Sequence, residues 1–272
     1  MNLSENINNS LNYAKRIASD IGRYVILVVL DIIPIVNFIV SGYGARVIQS
    51  TPESNEPPKL ERYGDMFIDG LKIFVAGFVY LIVPSILIAL GVGSFFAGLF
   101  GLGRTGFGFA FAGLGIVVLL IGVVLLFLAL IIFAIGVAHM LKTNNFGKAF
   151  AFGEIRQIIG RIGWGRYLAW LLVLFIIWLL IAAVVGVISF VLPVGGIIFV
   201  LLSPFLVTFY SRSVGLMYSD GAGGSFAPPS MQPGKAPYAP AAQAPTRSFC
   251  MYCGTRLIPG GKFCPSCGRP PQ

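Results

Sequence analysis

Four cysteines, the only ones in a chain of 272 residues, stand within its last 23 positions as two Cys-x-x-Cys pairs. Cys250 and Cys253 make one pair, Cys264 and Cys267 the other, with ten residues between the inner two. Each pair can clasp one edge of a tetrahedral metal, and Gly254 and Gly268 supply the turn that aims backbone N–H groups at sulfur. Pro259-Gly260-Gly261 turns the chain between the two knuckles. Four thiolates in that geometry select zinc. Four protein ligands leave no open position, so the one expected ion is structural and not catalytic. A module this short is expected to be unfolded without its metal. Two disulfides are the alternative, disfavoured in a reduced cytoplasmic tail. A thioredoxin-like redox pair lacks its βαβ surroundings.

Elsewhere the chemistry-bearing residues are sparse. Asp31 and Asn37 lie inside an apolar stretch, Tyr24–Ala45, which also holds Pro34. An intramembrane carboxylate is by default a candidate proton or cation site; the blander reading is a cap on a broken helix near the headgroups. Asp65 and Asp69 are four apart beside Lys72, which reads as a solvated helix face with a local ion pair. His139, the single histidine, has no Cys, Asp or Glu near it in sequence and reads as an interfacial side chain rather than a ligand. No phosphate-binding loop, HExxH or Gly-x-Ser-x-Gly occurs, and no acid, base and nucleophile set emerges, so the expectation is a protein that is not an enzyme.

The elements that must position these residues are membrane spans. The chain is 57% hydrophobic and 11% charged, with a mean hydropathy of +0.88. Residues 113–141 carry no charge and no polar stripe, and supply more than the ~20 residues that cross a ~30 Å hydrocarbon core. Residues 73–100, 167–192 and 194–210 are three further spans. A central proline and a charge argue that 24–45 is a kinked span or a re-entrant hairpin turning near Pro34. Residues 3–21 place Leu3, Ile7, Leu11, Ala14, Ile17 and Ile21 on one face, for a helix on the membrane surface or packed on the protein. Residues 146–163 show a similar amphipathic pattern, for a lipid or a protein interface. Gly-rich 91–115 fits close helix packing through small residues such as Gly93 and Ala97.

Charge sets the topology. With 24–45 re-entrant, 18 of the 19 basic residues fall on one side and only Arg104 on the other; with 24–45 crossing, the split is 15 to 4. The positive-inside rule favours the first, and both put the C-terminal tail in the cytoplasm. The N-terminus lacks the apolar core and cleavage site of a secretory signal. Residues 1–218 thus read as a multi-pass domain of the cytoplasmic membrane, 219–248 as a flexible Gly/Pro/Ala-rich linker, and 249–268 as the metal module. The expected fold class is an all-α membrane protein: four transmembrane helices, one re-entrant or kinked hairpin, interfacial helices, and a small β-hairpin zinc ribbon. Besides the bilayer, the expected partner is a cytoplasmic protein met by the ribbon. Arg247, Arg256, Lys262 and Arg269 are too few for a firm nucleic-acid footprint and suit anionic headgroups equally. The leading expectation is therefore a membrane-anchored scaffold or adaptor. A small transporter or channel using Asp31, or a role in membrane organisation, is the alternative.

Two resemblances follow from these residues. The tail resembles the minimal zinc ribbons carried by many bacterial and archaeal membrane and regulatory proteins, although its ten-residue spacing is shorter than in the longer ribbons. Ile33-Pro34-Ile35, Gly42-Tyr43-Gly44-Ala45-Arg46, Gly64-Asp65, Asp69-Gly70-Leu71-Lys72, Phe209-Tyr210 and Met217-Tyr218 resemble an archaeal membrane family, domain of unknown function 4013, over about residues 10–220. Tyr63 stands where that family usually has Trp. The resemblance implies an all-helical membrane fold and no assigned activity.

Overall fold

An apolar run without a polar stripe has no face to turn toward water, and the chain puts four such runs into long helices. A computed structural model describes residues 1–101, 106–191 and 195–223. The tight turn at Pro193, Arg104, most of the linker and the cysteine module lie outside the described residues. Among the described residues every regular element is helical: α1 (Leu3–Ser19), α2 (Ile21–Ile32), α3 (Phe38–Ser50), α4 (Tyr63–Phe96), α5 (Gly106–Thr143), α6 (Phe152–Ile162), α7 (Trp164–Val191) and α8 (Gly195–Ala222). A π turn (Ala97–Gly101) extends α4, and a 3₁₀ turn (Phe146–Phe150) precedes α6.

Helices α4, α5, α7 and α8 are each long and apolar enough to cross a membrane. Their bounds exceed the apolar runs. The amphipathic segment before Ile73 joins the second span as one 34-residue helix, and α8 continues past Tyr210 to Ala222. Helix propagation adds a hydrogen bond per residue, so a span extends until a turn residue or a packing boundary stops it.

The two ends of the bundle differ in burial. Toward the α4–α5 and α7–α8 turns the helices expose large apolar side chains, among them Phe100, Phe127, Leu180 and Phe190. At the opposite end, here called the head, α1, α3 and α6 pack among the spans and bury Tyr43, Ile135, Ile158, Tyr167 and Trp170. The apolar face of α6 (Ile155, Ile158, Ile159, Ile162) is covered by protein, not lipid. The same holds for α1, whose buried face is Asn6, Ser10, Tyr13, Ala14 and Ile17.

Small residues set the helix spacing. Antiparallel α4 and α5 meet along Gly91, Gly98, Gly115 and Gly122, where an added Cβ would fall 2.5–2.9 Å from the other helix's backbone. Gly93 faces open space and Ala97 is exposed, so the packing stripe is offset from the one expected. Antiparallel α3 and α4 approach still more closely: a Cβ on Gly42 would lie 1.7 Å from the Met66 carbonyl oxygen, and one on Gly70 1.9 Å from that of Phe38.

Residues 24–45 form two short helices and a turn. At 1.5 Å per residue, α2 and α3 are each about 18–20 Å long, too short for a ~30 Å core. Ile33, before Pro34, is extended (φ −87°, ψ 115°), as the proline ring requires. Both open ends of the pair hold the same segment, 51–62. Arg23 donates to the Pro57 and Pro58 carbonyls (3.0 and 3.2 Å), and Arg46 to those of Glu61 and Arg62 (2.5 and 3.2 Å).

Candidate functional site

Polar side chains in a membrane protein must find partners within the protein, and here they converge on the head. Arg212, on α8, is 1% exposed. Its guanidinium donates to Asn9 Oδ1 (3.0 Å), Thr51 Oγ1 (3.2 Å), the Ser54 carbonyl (2.7 Å) and Asn55 Oδ1 (2.8 Å), and lies 4.6 Å from the Tyr13 ring centroid. Five donors in a fixed fork suit this role; an ammonium could not reach four acceptors spread over two segments. Lys142, at the end of α5, holds the same segment through the Gln49 carbonyl (2.9 Å), the Thr51 carbonyl and Glu53 (3.3 Å). Nearby, Asn6 and Ser213 exchange two hydrogen bonds, and Trp170 Nε1 donates to Ser213 Oγ (2.9 Å). Helices α1, α5, α7 and α8 are thereby locked to each other and to the loop after α3.

His139 is fully buried beside this network. Its Nε2 is 2.7 Å from Glu154 Oε2 and its Nδ1 2.8 Å from the Tyr218 hydroxyl, while Lys148 pairs with the other carboxylate oxygen. An ionised carboxylate only accepts, so Nε2 carries a hydrogen and donates to Glu154, and Nδ1 shares a hydrogen bond with the Tyr218 hydroxyl. The arrangement clamps α5, α6 and α8 through one imidazole.

Hydrogen bonds from Lys148 and then His139 hold the Glu154 carboxyl below the usual carboxylate range. A carboxyl depressed on folding adds stability that is complete above its unfolded value, ~4.3, and is lost as pH falls through the lower folded value. The difference in melting temperature between wild type and Glu154→Gln should therefore be largest near neutral pH and shrink below about pH 4. Because the carboxylate is a third exposed, the difference should be modest.

The residues singled out in the sequence separate. Asp31, half-buried at the end of α2, accepts from Ser203 Oγ (2.6 Å). Ser203 also lies 2.9 Å from the Val200 carbonyl, the group left without a helical donor by Pro204. The single hydroxyl hydrogen of Ser203 thus faces two acceptors. Asn37 is exposed beyond the turn, at the start of α3. Asp69 pairs with Lys72 (2.8 Å), the local ion pair expected there, and Asp65 pairs with Arg62. Cys250, Cys253, Cys264 and Cys267 lie outside the described residues; among those described, no group of His, Cys, Asp and Glu has the makings of a metal site. A shallow groove of about 280 Å³ opens on α4 and α5, walled by Val79, Val83, Leu128, Phe150 and Phe152. Its one polar wall group, the Tyr80 hydroxyl, is spent on the Ala149 carbonyl (2.5 Å).

Sequence reasoning missed Arg212, Lys142 and the partners of His139. The one available signal was a charge or an imidazole near the end of an apolar run.

No curated protein and no solved structure matches the chain. The family described as "Protein of unknown function (DUF4013)" matches residues 26–194, more than half the chain and the stretch that runs from α2 to the α7–α8 turn. By that match, this four-span helical protein belongs to the DUF4013 family.

Proposed function

We propose that this protein is a scaffold of the cytoplasmic membrane whose head and tail face the cytoplasm, the tail presenting a structural zinc ribbon to a protein partner. One observation carries the reading: α8 ends at the head, the same end that gathers Lys15, Lys59, Arg156 and Arg161 at exposed positions. The tail therefore leaves from the basic side, which the positive-inside rule assigns to the cytoplasm. The donor set of Cys250, Cys253, Cys264 and Cys267 fits one zinc, and the linker gives the module reach without fixing its orientation. The densely bonded head suits an anchor better than a moving part.

Cross-linking in cells with the full chain, a chain lacking residues 248–272, and a Cys264→Ser, Cys267→Ser chain tests this. The full chain should capture a cytoplasmic protein and carry one zinc; both variants should lose the partner while still inserting in the membrane. An identical set of captured proteins from all three would reject the scaffold role.

The Asp31–Ser203 pair, at the end of α2 before the Pro34 turn, favours a second reading, transport of a proton or cation at that broken helix. In reconstituted vesicles that reading requires a flux that Asp31→Asn abolishes.

A further inference from the structure

The outer face of α2 is apolar along its whole length and is covered by nothing among the described residues. Ile21, Val25, Val29 and Ile32 recur at helical spacing on one stripe, and Ile33 and Ile35 continue it around the turn, all between 45 and 72% exposed. The opposite face is buried at Leu27 and Val28. Asp20 and Arg23 sit at the open end of the hairpin, and Asp31, near the turn, is engaged by Ser203 of α8. Such a stripe in water would be an aggregation site.

Its depth is fixed by three helices. Gly42 and Phe38 of α3 lie level with Met66 and Gly70 of α4, and the Phe38 ring packs on Phe74 (5.2 Å). From Phe74, α4 continues to Phe96 for about 33 Å, the full thickness of a hydrocarbon core. On α8 the same tip meets Ser203, about 12 Å from Gly195, so the hairpin enters from the head side and stops short of the far end on both helices. Tyr24 donates to the Leu201 carbonyl (2.7 Å), and Asp31 accepts from Ser203 (2.6 Å). Positions about 10 Å apart along α2 thus meet positions only about 3 Å apart along α8. Helix α2 packs on a short stretch of α8 around Leu201 and Ser203.

We infer that α2 and the Ile33–Ile35 turn form a wedge in one leaflet, with the acyl chains of the head-side leaflet as the partner of the exposed stripe. The stripe is continuous in kind with the lipid-facing surface of the four spans, and helices too short to cross present such a face to the acyl chains of the leaflet they enter. It adds cross-section to one leaflet and none to the other. This goes beyond the scaffold reading: a tail that captures nothing would leave it standing.

The test uses the full chain in phospholipid vesicles, with a spin label on a ketone-bearing unnatural residue so that the tail cysteines stay untouched. Labels at Val29, Ile35 and, as a mid-span reference, Phe127 are compared for collisions with oxygen and with a water-soluble nickel chelate. The wedge requires Val29 and Ile35 to favour oxygen over nickel and both to read shallower than Phe127. Three outcomes overturn it: preference for nickel, meaning a water-facing stripe; protection from both reagents, meaning cover by protein or a second copy; or a depth at Ile35 equal to or beyond that of Phe127, meaning a crossing.

Discussion

Replacing Arg212 with methionine is expected to lower stability in detergent by about 3 kcal/mol or more. Methionine fills much of the volume but donates nothing. Buried Thr51 and half-buried Ser54 would lose their donor, while exposed Asn9 and Asn55 would turn to water and release α1 from the 51–62 segment. The segment they belong to also anchors Arg16, through the Asn55 carbonyl (2.8 Å), and Tyr13, through the Glu56 carbonyl (3.1 Å), so the damage should spread to the seat of α1. Arg212→Lys keeps the charge without the fork and should fall between. Denaturation midpoints measure the loss, and faster proteolysis within residues 51–58 would locate it. A midpoint unmoved by Arg212→Met would mean that the network is incidental.

The second large effect is expected at Gly42. A valine there would drive its Cβ into the Met66 backbone, which belongs to another helix and cannot rotate aside as a side chain can. Overpacking against flexible neighbours costs about 1–3 kcal/mol, and here the cost should exceed that range. Gly42→Val should therefore yield little folded protein, judged by size-exclusion profile and melting temperature. Gly93→Ala is the matched control. Nothing lies within 4 Å of the added methyl group, and alanine is favoured over glycine in a helix by about 0.5–1 kcal/mol. That variant should be as stable as wild type or slightly more so.

These two sites also mark the limit of what the chain discloses before folding. The spans were legible because an uninterrupted apolar run has few other fates, and Pro34 announced its turn through the rule that bars helix at the preceding residue. The helical pattern over 146–163 was equally plain, but periodicity cannot say whether lipid or protein covers the apolar face. Protein covers it, as it does for α1. There the periodicity selected Leu3, Ile7, Leu11, Ala14 and Ile17, of which Ala14 and Ile17 are fully buried and the others packed on the core, but it passed over Asn6 and Ser10, which are fully buried too. Hydrogen bonding lets polar residues into a core, and a hydrophobic pattern is blind to that. Arg212 was illegible for a related reason: its partners are 157 to 203 positions away. His139 reads as isolated in sequence because Glu154 and Tyr218 reach it only after α5, α6 and α8 assemble. The packing glycines were sensed as a group, but choosing Gly91 over Gly93 needs the rotation of α4 about its axis.

The central claim is that the head, with α1, the 51–62 segment and α6, shares one side of the membrane with the tail, the cytoplasmic side. Labelling of intact cells by a membrane-impermeant reagent tests it most directly, with a ketone-bearing residue placed singly at Lys15, Gln157, Gln243 or Arg104 of the full chain. The expected result is reaction at position 104 in intact cells, and at 15, 157 and 243 only after permeabilisation. Reaction at 15 from outside, with 157 and 243 still protected, would put α1 across the membrane from the tail and contradict the account.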